Sequence, residues 1–154
     1  MNALTPALIV LAALAGAPDA AAQSPPAAAK VTVRDAWARL PTDGRSTTAY
    51  VTVENLTDVE DRLIGASSPW AERVVLQRQV NEGYNVVKRT VTSIPLKARG
   101  ILRMRPGGYQ LALEGLNRPI RADVPIPLTL RFANGGVVDA KAEVSKQLLG
   151  NWGR

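Results

Sequence analysis

The chain has 154 residues, with 19 Lys and Arg, 13 Asp and Glu, no His and no Cys, for a net charge of +6. That inventory excludes a disulfide framework, a thiol or imidazole nucleophile, and the His and Cys ligand sets of ordinary zinc sites. The length suits one domain with a sizeable core rather than two.

Residues 1–22 hold an apolar run from Ala7 to Ala17, then Ala20-Ala21-Ala22 before Gln23, the layout of a cleaved secretory signal. No Lys or Arg precedes the run, so the amino terminus alone supplies positive charge there. The run is shorter than the roughly 20 apolar residues a spanning helix needs, so no transmembrane anchor is expected after cleavage. Without cysteine, a lipid-anchored lipoprotein is not expected either. Beyond Ala22 lie all 19 cations and 12 of the 13 anions, giving the mature chain a charge of +7. Residues 23–30, with Ser24-Pro25-Pro26 and three alanines, read as a disordered lead-in, and 31–146 as the domain.

Alternation of apolar and polar residues predicts a first strand from Val31 to Arg39, ended by the turn text Leu40-Pro41-Thr42-Asp43-Gly44. A second strand is predicted from Thr47 to Glu54 and a third from Arg62 to Ser67. Arg73 to Val80 and Tyr84 to Val91 read as a hairpin turned at Asn81-Glu82-Gly83, followed by a Pro- and Gly-punctuated connection from Ile94 to Leu102. Pro106-Gly107-Gly108 is turn chemistry, feeding a strand in which Tyr109, Leu111 and Leu113 face the core and Gln110, Ala112 and Glu114 face the other way. Leu128 to Phe132 and Val137 to Val144 flank Asn134-Gly135-Gly136, a second hairpin signal. Residues 147–154 form a tail carrying Leu148, Leu149 and Trp152. No segment has a long helical period, so the fold class is all-β, an antiparallel sandwich or barrel.

Several separated segments occur in an order that resembles one family. They are Asp35-Ala36-Trp37-Ala38-Arg39, Asp61 to Pro69, the stretch from Pro106 to Leu116, and Pro127-Leu128-Thr129-Leu130-Arg131-Phe132. Across essentially the whole mature domain the chain is similar to the periplasmic copper chaperones called PCu(A)C. The resemblance implies a cupredoxin-like Greek-key sandwich, a periplasmic location, and work in copper handling or oxidase assembly. It also implies copper as cargo, held by a His, a Met after ten intervening residues, and a His-x-Met pair after twenty-one more. Counted onto this chain, those positions are Gln77, Lys88, Gln110 and Ala112.

None of these four supplies a soft donor. Cu(I) takes thioether, thiolate or imidazole, whereas Gln offers a weak amide oxygen, Ala nothing, and Lys a repelling charge. The mature chain contains one Met, Met104, so no other soft site can be assembled from it. A hard-cation site at Glu54, Asp58, Glu60 and Asp61 lacks the alternating acidic spacing of a calcium loop. Ser67-Ser68 lack the context of a nucleophile, and Lys88 would need an apolar pocket to act as a base, so an enzyme is not expected.

Between Glu72 and Arg105 eight cations face two anions, so the region of the implied ligands is also the basic region. Arg78, Lys88 and Arg89, with Trp70 as the contact aromatic, are the candidate contacts for an acidic periplasmic protein or an anionic envelope surface. Trp37 and Tyr109 are assigned to the core instead. The export signal and the lack of aromatic-interleaved basic motifs argue against nucleic acid. The leading expectation is a non-catalytic accessory protein with a degenerate copper site. The alternatives are a working metallochaperone with unforeseen ligands and a binding module unrelated to copper.

Overall fold

A computed structural model describes residues 30–145. The expected signal segment, most of the expected lead-in and the tail 147–154 lie outside the described residues. The backbone follows the period-two text as ten strands: β1 (Val31–Arg39), β2 (Ser46–Asn55), β3 (Asp61–Ser67), β4 (Ala71–Glu82), β5 (Asn85–Thr90), β6 (Ile94–Leu96), β7 (Ile101–Arg103), β8 (Tyr109–Leu116), β9 (Ile126–Phe132) and β10 (Gly136–Ser145). No helix occurs among the described residues.

Hydrogen bonding links the strands in the order β5-β4-β8-β2-β1-β10-β9-β3-β6, with β7 paired to β2. A further pairing of β3 with β4, at Ala66 and Val74, closes β4-β8-β2-β1-β10-β9-β3 into a seven-stranded barrel-like sheet. Closure removes most open edges, and β5 stays outside the ring as an outer strand. The predicted all-β, cupredoxin-like class is therefore observed, with one exception to antiparallel pairing: β1 runs parallel to β10 at Trp37 to Arg39. A bulge in β1 between Arg34 and Trp37, where Asp35 takes a φ of 49°, lets β1 serve two neighbours in different registers.

The interior is lined by the alternate residues that the strand text marks as apolar. Ala49, Val51 and Val53 of β2, Leu63 of β3, Leu76 of β4, Leu111 and Leu113 of β8, and Leu128 and Leu130 of β9 are all buried. Each buried Val or Leu removes apolar area from water worth about 1.5–3 kcal/mol. Trp37 is half-buried and stacks on Tyr50 at 4.5 Å, and Tyr109 also packs against the core, as assigned. Met104 is buried among the same residues.

The turn before β8 has the form its residues dictate. Gly108 N–H donates to the Arg105 carbonyl at 3.0 Å, and Gly107 takes a φ of 88°, which is a type II turn with proline second and glycine third. Two details differ from expectation. The β4–β5 turn is Gly83-Tyr84, so Asn81 and Glu82 remain in β4, because Gly83 supplies the positive φ of 64° at the first turn position. The connection expected from Ile94 to Leu102 instead holds the three-residue β6 and most of β7, with Ile94 and Leu96 buried as β6 pairs with β3.

Candidate functional site

Strand register alone brings the four singled-out positions together. On paired antiparallel strands, Gln77 of β4 lies directly opposite Gln110 of β8, and two residues further on Val75 lies opposite Ala112. On the other side of β4, Lys88 of β5 lies opposite Gln79, one same-face step from Gln77. Since residues two apart share a face, Gln77, Gln110, Ala112 and Lys88 belong to one side of the sheet. Next to β8, Thr48 and Ser46 of β2 lie opposite Ala112 and Glu114 and extend that face.

The face is covered, not open as simple alternation predicts. Gln110 is only 1% exposed and Ala112 9%. The Gln110 side-chain amide, Nε2, donates to Gln77 Oε1 at 2.9 Å. A buried primary amide without such a partner would cost about 1–3 kcal/mol, so the second Gln is what makes the first tolerable. Above the pair, the β1–β2 loop from Arg39 to Asp43 forms one wall of a cleft of about 330 Å³, lined also by Thr48, Gln77, Lys88, Ala112 and Glu114.

The acceptors around this cleft are engaged. The Asp43 carboxylate accepts from the backbone N–H of Arg45 at 2.9 Å and Ser46 at 3.1 Å, and from the Ser46 hydroxyl at 3.2 Å. Those backbone bonds, Arg45 first, hold its carboxyl below the usual range. Glu114 pairs with Arg73 at 2.6 Å, and the Thr47 hydroxyl donates to the Arg39 carbonyl. Lys88 and the Arg39 guanidinium make no ion pair among the described residues.

These residues do not fit a copper ion. The two glutamines bind each other, Ala112 offers no donor atom, and the fourth position carries a cation. Among the described residues no three His, Cys, Asp or Glu side chains gather where they could hold a metal. The acidic stretch considered for a hard cation is dispersed. Glu54 pairs with Arg34 at 2.9 Å and Asp58 with Arg99 at 2.7 Å. The buried Asp61 carboxylate accepts from the Arg62 and Asn134 backbone N–H groups, tying β3 to the β9–β10 turn. The Arg99 guanidinium, by hydrogen bond and then by charge, lowers the Asp58 carboxyl.

The basic candidates are placed separately. Arg78 and Arg89 lie opposite one another on β4 and β5, so they share the face that Lys88, adjacent to Arg89, does not. Arg78 sits over the Tyr109 ring at 5.5 Å, and Arg89 pairs with Glu82. Of the eight cations counted between Glu72 and Arg105, Arg73, Arg89 and Arg99 are in ion pairs. Trp70 lies eight residues before Arg78, roughly 26 Å along an extended strand, and packs under Arg118 at 4.8 Å. It belongs with Pro119, Arg121 and Val124, away from the cleft. Sequence reasoning missed the β1–β2 loop and Thr48 as parts of the site, because only strand pairing places them beside Ala112.

Comparison with known proteins agrees with this architecture. Residues 31–144 match the family described as "Putative lipoprotein LpqE-like". "Putative lipoprotein Lxx21020" of Leifsonia xyli subsp. xyli (strain CTCB07) is 31% identical over 118 residues, covering 75% of this chain and 70% of that protein. Among solved structures, the copper-bound PCuAC domain from PmoF2 superposes with a TM-score of 0.64 at 25% identity, over 77% of this chain and 94% of the other. The solution structure of apo-DR1885 from Deinococcus radiodurans is 30% identical with a TM-score of 0.59, over 98% and 100% of the two chains. The chain belongs to the LpqE-like family, and its domain is of the PCuAC copper-chaperone type.

Proposed function

We propose that this chain is an exported, non-catalytic accessory protein, a PCuAC-type domain that keeps the copper-chaperone scaffold without chelating copper itself. The observation that carries this reading is the Gln77–Gln110 hydrogen bond with Ala112 and Lys88 in the same cleft. Side chains at these register positions converge, so their geometry suits a shared ligand, while their chemistry suits no soft cation. No substitute is available elsewhere, since the sequence has no His or Cys and Met104 is buried in the core. The apolar segment from Ala7 to Ala17 and a relative named as a lipoprotein support export to the periplasm. There the domain acts in copper handling or oxidase assembly through an acidic protein partner, drawn by the exposed basic residues of the β4–β5 hairpin.

Titrating the protein with Cu(I) against a competing chelator tests this reading. Loss of competition to the chelator throughout is expected. Sub-micromolar binding by the monomer would make the chain a working metallochaperone instead.

A further inference from the structure

Replacing a soft-metal ligand by lysine reverses the sign of what a cleft prefers. We propose that the cleft between the β1–β2 loop and strands β8, β4 and β5 is a carboxylate-binding site, with Lys88 as its cationic anchor and Gln77 and Thr48 as neutral donors. The proposal rests on the reading of this site as unable to hold copper, and it names what the site takes in its place.

Three observations carry it. The first is a mismatch of donors and acceptors. Asp43 and Glu114, the carboxylates in the lining, already accept from Arg45, Ser46 and Arg73. Lys88 and Arg39 pair with no carboxylate among the described residues, so the cleft keeps two cations without counter-ions. The second is the orientation of Gln77. Its carbonyl oxygen is taken by Gln110, which leaves its NH₂ group as the end free to donate into the cleft it lines. The Gln110 partner thus fixes Gln77 as a donor, as a positioning residue would. The third is size: about 330 Å³ lies at the low end of small-molecule sites, enough for a short organic acid or one acidic side chain.

A carboxylate suits the site better than a phosphate. Lys88 and Arg39 against Asp43, with Glu114 already neutralised by Arg73, leave the cleft one net positive charge, which a single carboxylate with its two acceptor oxygens balances. A phosphate dianion would add its second charge beside Asp43 and Glu114, which like-charge repulsion opposes. The carboxylate can belong to a free small acid or to an acidic side chain of a partner, and the test separates these sources.

The test is an NMR titration of the full chain with succinate, with a short glutamate-containing peptide, and with inorganic phosphate at equal ionic strength. Saturable shifts of the Thr48, Gln77, Lys88 and Ala112 amides with a carboxylate, and weaker binding of phosphate, are expected. Succinate binding assigns a free acid; binding of the peptide alone assigns a partner's side chain. Lys88→Gln removes one charge-assisted hydrogen bond and should weaken binding about tenfold or more, whereas Lys97→Gln, on the β6–β7 connection, should leave it unchanged. Non-saturating shifts spread over Lys97, Arg103 and Arg105, phosphate binding equal to succinate, or an unaltered affinity in Lys88→Gln would each overturn the proposal. A Cu(I) titration of the same sample keeps the two readings apart. Copper binding with carboxylate binding intact would remove the functional reading alone, and the reverse outcome would remove this one alone.

Discussion

The two faces of β8 are both buried, and they are buried by different physics. Leu111 and Leu113 point into the barrel and are fully enclosed by apolar neighbours. Gln110 and Ala112, beside and between them in sequence, point to the other side and are covered by one directional amide bond and the β1–β2 loop. The inner face is held by area removed from water, which is additive and insensitive to orientation. The outer face depends on a particular partner in a particular register, so it can change chemistry while the inner face preserves the fold.

If that contrast is right, truncating the inner face has the largest effect. Leu113→Ala should cost about 2–5 kcal/mol in denaturant unfolding, the usual range for a fully buried leucine. A cost below about 1 kcal/mol would mean that the barrel interior is loosely packed.

The outer face should respond to pairing, not to volume. Gln77→Ala strands the buried Gln110 amide and should cost about 1–3 kcal/mol, while Gln77→Leu together with Gln110→Leu should recover most of that loss. Adding the single variants Gln77→Leu and Gln110→Leu completes a double-mutant cycle that measures the coupling directly. If the single and double replacements are equally harmful, the hydrogen bond is not what secures this face.

This same pair marks the boundary of what the sequence discloses. Period-two text placed β1 with its observed ends, and Pro106-Gly107-Gly108 announced a turn, because both depend on neighbours in the chain. The burial of Gln110 depends on Gln77 lying 33 residues away on a paired strand, which alternation cannot report. The closure at Ala66 and Val74 and the parallel meeting of β1 with β10 are likewise contacts between distant segments. The ligand spacing of the resembled family, counted onto this chain, nominated Gln77, Lys88, Gln110 and Ala112, whereas the loop that walls their cleft read only as a turn. Charge counts grouped Arg78, Lys88 and Arg89, and the pleat then divided them between two faces.

Smaller effects sharpen the contrast at its polar edge. Lys88→Ala should change stability by no more than about 0.5 kcal/mol, since the side chain is exposed and makes no ion pair among the described residues. A larger loss would show Lys88 holding the fold rather than serving the cleft.

The pH profile should be flat across the neutral range, because the chain has no His or Cys to titrate there. At the acid end, the lowered carboxyls of Asp43 and Asp58 contribute a small stabilisation that is complete above their ordinary value of 3.8 and fades as pH falls through their folded values. At the alkaline end, burial raises the Tyr50 phenol, so its contribution is complete below 10 and is lost as pH rises through the folded value. Thermal melts from pH 2 to 11 should therefore show a plateau with losses at both ends, and a step between pH 5 and 8 would contradict this assignment.

The central claim is that the outer face of β8 keeps the geometry of a copper site and has lost its donors. Comparing Cu(I) affinity in the native chain and in the quadruple variant Gln77→His, Lys88→Met, Gln110→His, Ala112→Met tests both halves at once, because the strands supply the positions and the substitutions supply only the chemistry. The account predicts no competition with a strong chelator by the native protein and a gain of several orders of magnitude in the folded variant. Strong binding by the native chain, or none by a folded variant, would contradict it.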